Sequence, residues 1–289
     1  MTTTKQPTLV LGGNGKTGRR VVQRLTALSH PTRIGSRFGQ PPFDWEDPST
    51  WPPVLDGAGA AYVSYFPDLA APGAVETVDA FARVAVSMDV PRLVLLAGRG
   101  EAEAELAEQA VRDSGAALTV VRSTWFAQNF SEDYMLGDVL RGEVFLPAGD
   151  TPDPFVDADD IADVAVAALI DDRHVGELYE LTGPRLLTFA EAVAEIASAT
   201  GRDIRYVPVS IEEYTSAATA QGVPPRVVEL LAYLFSEVLD GRNAHLADGV
   251  QRALGRAPKD FADYARDAAA TGVWDVRTAA GLGADGSRT

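Results

Sequence analysis

The chain has 289 residues, 46% of them hydrophobic and 23% charged, which is ample for a folded core and too apolar for wholesale disorder. A net charge of −16, with Lys5, Lys16 and Lys259 as the only lysines and the arginines scattered, excludes a basic face and argues against direct binding of DNA or RNA. The absence of cysteine removes disulfides, thiolate metal sites, iron–sulfur ligation and cysteine nucleophiles together. No hydrophobic leader and no apolar run of the ~18–20 residues that a membrane span needs can be found, so a soluble, cytoplasmic protein without a membrane partner is expected.

Thr8-Leu9-Val10-Leu11 stops at glycines as a buried parallel strand does, and Val21, Val22, Leu25 and Leu28 follow at helical spacing. Further strands are predicted at 32–36, 60–65, 92–97 and 117–121, with helices over 74–88 and about 101–114, the latter ending at Gly115. This alternation predicts an α/β protein with a Rossmann-type, doubly wound parallel sheet covered on both faces. After Arg122 come an aromatic stretch, 125–130, and a Gly/Pro-rich turn at 147–154. A helix is predicted from Asp157 to Ala168 and a final strand at 178–181. Helices near 188–200, 211–221, 225–239 and 258–271 follow, then a polar tail from Ala279 expected to fray. The expected division is a nucleotide-binding domain over 1–155, with 156–183 returning to its sheet, and a small, mostly helical substrate lobe over 184–289.

Gly12, Gly15 and Gly18 are spaced G-x-x-G-x-x-G between the first strand and the first helix. The first permits a tight turn, the second lets backbone approach a pyrophosphate, and the third lets helix pack on strand while free N–H groups face the anion. Gly12, Asn14, Gly15, Lys16, Thr17 and Gly18 are therefore expected to hold a dinucleotide. Lys16-Thr17 suggests a nucleotide-hydrolase loop, but the leading spacing fails. From Thr32 to Phe43 there is no carboxylate to bond a ribose 2′-hydroxyl, and Ser36 and Arg37 can hold a 2′-phosphate instead. NADP(H) is favoured over NAD(H) on that ground. Asp44 and Trp45, after another presumed short strand, are candidates to meet the adenine, with a plain surface loop as the alternative.

Taken together, these residues resemble the NmrA-like group of atypical short-chain dehydrogenases/reductases. The resemblance rests on Val10 to Gly18, Glu108 to Gly115 with Val121-Arg122, Phe126 to Phe130, Pro154 to Asp157 with Asp160-Ile161-Ala162, Tyr179 to Pro184, and Thr188 to Glu191, and covers roughly residues 8–210. The group includes NADPH-dependent quinone and triphenylmethane reductases as well as redox-sensing regulators without catalysis. The resemblance implies substrate held between the Rossmann domain and the helical lobe, with the Asn129 region and Phe155 bordering that cleft near the nicotinamide. It also implies that Ser64, Tyr65 and Phe66 pass the cofactor.

Carbonyl-reducing relatives use a Tyr-x-x-x-Lys pair as proton donor, and this chain cannot contain one: the residues four before Lys5, Lys16 and Lys259 are Met1, Gly12 and Gly255. By the family register those positions fall near Gly100 and Ala104, and the usual strand-end serine near Ala97. The remaining work is positioning and electrostatics, which suits hydride transfer to a quinone-like or polycyclic aromatic acceptor whose charge delocalises onto oxygens that solvent can protonate. Arg99 is the candidate to face a developing oxyanion, an ion pair with Glu101 or Glu103 being its alternative, and Tyr65 is a second donor candidate with packing as its alternative. Trp125, Phe126, Phe130 and Tyr134 are candidates for a flat aromatic pocket beside Asn129 and Phe155, or else for core. Asp157, Asp160 and Asp163 read as helix-cap charges rather than a metal site, and the three histidines show no ligand spacing. Two functions remain open: a reductase of a small aromatic substrate, or a non-catalytic NADP(H)-sensing regulator acting through a protein partner.

Overall fold

The computed structural model describes residues 5–276, so the tail from Ala279 lies outside the described residues. The elements in chain order are β1 (Thr8–Leu11), α1 (Lys16–Ala27), β2 (Thr32–Gly35), α2 (Trp51–Leu55), β3 (Ala60–Val63), α3 (Ala74–Ser87), β4 (Arg92–Gly98), α4 (Ala102–Asp113), β5 (Ala117–Ser123), α5 (Asn129–Glu132), α6 (Leu136–Arg141) and β6 (Glu143–Leu146). There follow α7 (Ala158–Ile170), β7 (Leu178–Leu181), α8 (Phe189–Thr200), β8 (Arg205–Pro208), α9 (Ile211–Ala220), α10 (Pro225–Tyr233), α11 (Gly249–Leu254) and α12 (Phe261–Ala270).

Six strands form one parallel sheet in the order β2-β1-β3-β4-β5-β7. The order reverses at β1, the switch point at which such sheets bind ligands beyond their C-terminal edge. Alternation along the strands sorts the core into two layers. Leu93, Leu95 and Ala97 of β4 pack with Val78 and Phe81 of α3 and Ala107 and Val111 of α4, while Val94 packs with Val21 and Leu25 of α1 and with α7 on the other face. The α1–α7 seam is closed at its rim by Arg20 and Arg24 reaching Glu132, Asp159 and Asp163. Asp157 caps α7 by accepting the Asp159 N–H at 2.7 Å, and Asp160 and Asp163 pair with Arg256.

A third core belongs to the lobe, where Phe189, Val193 and Ile196 of α8 meet Phe261, Tyr264 and Trp274. Ala127, Phe130, Val139, Val144, Leu146 and Phe155 pack into this core as well, so 127–155, expected with the first domain, is joined to the lobe by its apolar side chains. The strand at 178–181 is not the last: β8 pairs in parallel with β6 as a separate two-stranded sheet. α8 starts at a capping box in which Thr188 and Glu191 satisfy each other's N–H groups. Among the described residues no helix is long and apolar enough to cross a membrane.

Candidate active site

The glycine loop closes through the Gly15 N–H, which donates to Gly12 O at 2.8 Å. Gly12 has φ +65°, which a side chain would strain. A Cβ on Gly18 would stand 2.2 Å from Gly12 O, so α1 lies against the loop only because residue 18 is glycine. α1 begins without a side-chain cap and without an acid in its first turn. Its leading N–H groups and the positive end of its dipole therefore face an exposed tip at Asn14 and Gly15, a cradle that fits a pyrophosphate. Two side chains expected to help are engaged elsewhere. Thr17 is buried and accepts the Tyr62 hydroxyl at 2.9 Å, and Lys16 crosses to Asn129 Oδ1 at 2.7 Å and to Asp133. Backbone N–H groups are what Lys16 and Thr17 offer a phosphate.

Beyond β2 the presumed short strand is a loop, closed by the Phe43 N–H donating to Ser36 O at 2.9 Å. Arg33 is held there by the carbonyls of Val54 and Asp56. Arg37 is exposed, and among the described residues its guanidinium has no partner. Trp45 does not stand free for an adenine: its ring centroid lies 4.9 Å from Phe43, 5.0 Å from Tyr65 and 5.3 Å from Phe81. The Asp44 carboxylate holds the Glu46 N–H at 3.1 Å. The same packing makes the Tyr65 ring part of the wall behind the site, whereas Ser64 stands beside the loop, 3.4 Å from a Cβ built on Gly12, and Phe66 is 68% exposed.

The largest correction concerns Arg99. It is 4% exposed, and its guanidinium donates to the carbonyls of Asn243 at 3.2 Å and His245 at 2.9 Å and to the His245 ring, with Glu180 Oε2 3.3 Å from Nε. Its partners are thus neither Glu101 nor Glu103, and a guanidinium so engaged cannot face a substrate oxyanion. Arg99 instead ties the segment 240–247 of the lobe onto the end of β4, reinforced by Asn243 Nδ2 donating to Arg99 O at 2.8 Å and Arg242 to Gly100 O at 3.1 Å.

The aromatic stretch divides in the same way. Phe130 and Phe155 are core residues, 5.9 Å apart by centroids and each packed on Phe189 and Phe261, so neither lines a pocket. Trp125 is half-buried and stacks on Phe235 at 4.9 Å. Phe126 is half-buried under Lys16, whose ammonium lies 5.6 Å from its ring centre. Asn129 is positioned by its bond to Lys16, opposite the glycine loop. Phe126 and Asn129 are the members of the stretch that meet the first turn of α1. Two surface hollows, of about 290 and 340 Å³, lie along α8 and α12 and touch none of these residues.

No protein-family model matches the chain. An alignment of 289 positions covering 93% of this chain and 98% of the relative gives 31% identity to the uncharacterized oxidoreductase YesF of Bacillus subtilis, and one of 285 positions covering 91% and 98% gives 30% identity to the NAD(P)H azoreductase of Xenophilus azovorans. The chain belongs to the NmrA-like group of atypical short-chain dehydrogenases/reductases. Its fold superposes on that of an NADPH-dependent quinone oxidoreductase from Escherichia coli with a TM-score of 0.75 at 17% identity, over 90% of this chain and 99% of the other. Both of these relatives bear the names of oxidoreductases, and on that similarity the chain is an oxidoreductase. Gly100 has φ +81°, and a Cβ there would lie 2.7 Å from the Asn243 amide, so a side chain at this position would be both strained and crowded by the docked lobe segment. Ala104 is fully buried.

Three side chains at this edge carry buried oxygens without a hydrogen-bond partner: Glu101, Ser123 and Asp153. Such atoms are rare in folded proteins and each asks for a reason. Asp153 is 1% exposed beside the end of β5, where Thr124 Oγ1 donates to Pro154 O. Burial, offset in part by the Trp125 backbone and the charge of Arg99, pushes its carboxyl up to about 7. Glu101 is 6% exposed, and burial, then Asp68, then Glu103 hold its carboxyl far above the ordinary carboxylate range. Sequence alone offered Glu101 only as an ion-pair partner for Arg99 and did not single out Asp153, because only folding removes their water.

Proposed function

We propose that this chain is an NADPH-dependent reductase of a quinone-like or polycyclic aromatic acceptor, working by direct hydride transfer without a Tyr-x-x-x-Lys acid. The observation that carries this reading is the loop in which Gly18 rests on Gly12 and α1 opens uncapped towards the tip, with Arg37 exposed one strand away. Gly12, Asn14, Gly15 and the N–H groups of Lys16, Thr17 and Gly18 would hold the pyrophosphate, and Ser36 and Arg37 the 2′-phosphate. When bound, the dihydronicotinamide supplies a hydride. Ser64, Phe126 and Asn129, which stand near the glycine loop and the first turn of α1, would border the nicotinamide end. Residues from 184 to 276, with 127–155 packed into their core, would form the lobe that shapes the acceptor site, and Trp125 and Phe126 its aromatic wall.

Similarity to an azoreductase, and of fold to a quinone oxidoreductase, supports a flat conjugated acceptor. The test is NADPH oxidation against a panel of quinones, azo dyes and aromatic ketones, together with binding of NADPH and NADH. Oxidation with at least one conjugated acceptor and preference for NADPH are expected. Tight NADPH binding with no consumption on any acceptor would replace this reading with the NADP(H)-sensing regulator.

A further inference from the structure

Glu101 opens α4 directly after the β4 edge, one residue beyond the place of the missing tyrosine. Its carboxyl lies on the bare Cα of Gly98: a Cβ built there would be 1.8 Å from Oε1 and 2.4 Å from Oε2, so glycine at 98 is what makes room for the acid. The negative charge of Asp68, in the loop after β3, adds to burial in favouring the protonated form of this acid. The other charged or titratable groups around it are Glu103 on α4, which accepts the Tyr233 hydroxyl of α10 at 3.0 Å, and Arg242, which is held by Asp240 and the Gly100 carbonyl. No cation bonds Glu101 among the described residues, and Oε2 is left without a partner. A buried, unpaired carboxyl is costly as an anion and tolerable as an acid.

We propose that Glu101, lying against the end of β4 at Gly98, is the proton donor of the reduction in place of the absent phenol. The proposal rests on the reductase reading and deepens it. The acceptor gains two electrons with the hydride that NADPH supplies. The Glu101 O–H bond breaks as its proton passes to the acceptor atom left negative, and the carboxylate regains a proton from solvent. Acceptors whose reduced atom is a localised strong base, as in an azo bond, depend on this group most, and quinones, whose charge is delocalised, depend on it less.

Glu101→Gln keeps the shape and neutrality of the acid and removes its proton, so a merely structural role would leave the variant unaltered. With methyl red as acceptor, kcat is expected to fall roughly a hundredfold or more and with menadione by less, while NADPH affinity and melting temperature hold. In cofactor-free protein at neutral pH, the infrared spectrum is expected to show a protonated-carboxyl band that Glu101→Gln lacks. Unchanged turnover of methyl red in the variant, or no difference band, would overturn the proposal and leave the reductase reading standing. A wild type that binds NADPH and reduces nothing would overturn both.

Discussion

The two ends of one sheet edge are built differently. At the β1–β2 end every group that matters lies between Gly12 and Arg37, and the working parts are glycines, backbone N–H groups and one exposed guanidinium. At the β4 end Gly98 to Glu101 acquire their properties from Asp68 and from residues 233–245 of the lobe. The first end is a local structure that a short motif can encode. The second is a meeting of distant segments, where burial rather than residue type decides what a side chain does. Arg99 and Glu101 illustrate this: the arginine proposed to face substrate is saturated, and the acid set aside as its ion-pair partner is the group left unpaired.

The largest expected effect would break the β4 end. Arg99→Met leaves the carbonyls of Asn243 and His245 without their donor and Glu180 with Arg122 alone, and a loss of about 2–4 kcal/mol is expected, read by urea denaturation. NADPH affinity per folded molecule should survive, since the glycine loop is two strands away. The next would break the other end. Gly18→Val forces α1 away from the Gly12 carbonyl, and overpacking of about 1–3 kcal/mol predicts about a ten- to hundredfold weaker NADPH complex by calorimetry. If both variants lost binding equally, the two ends would not be separable.

A smaller effect sharpens the contrast through pH. Folded, the Asp153 carboxyl keeps its proton up to about 7, whereas unfolded it releases it near 4. The folded state therefore binds more protons between these values, and stability falls as pH rises from about 4 to about 7. Asp153→Asn removes that fall. Its melting temperature should match the wild type in acid and exceed it above neutrality, by an amount corresponding to on the order of 4 kcal/mol. A variant destabilised equally at every pH would mean that Asp153 serves as a paired anion.

Much of the Rossmann half was legible because its elements are long, periodic and joined in sequence, and predicted and observed bounds for α3, α4, α7 and α8 differ by at most two residues. What escaped is short or non-local. α2, α5, α6 and α11 span six residues or fewer, and β6 finds β8 only across the intervening α7, β7 and α8. The strand imagined before Phe43 is a loop pinned by Ser36. Within the candidate site the glycine spacing and Arg37 could be read directly, whereas Phe130 and Phe155 looked like pocket residues because hydrophobic residue type does not distinguish a wall from a core.

The most direct measurement compares Arg37→Ala with Glu101→Gln for NADPH and NADH affinity and for kcat with an azo acceptor. The account predicts a crossed result. Arg37→Ala should weaken NADPH by about ten- to a hundredfold, the worth of a charge-assisted hydrogen bond, with little change for NADH or in kcat at saturation. Glu101→Gln should leave both affinities intact and depress kcat. Equal losses of NADPH and NADH in the first variant, together with undiminished kcat in the second, would contradict it.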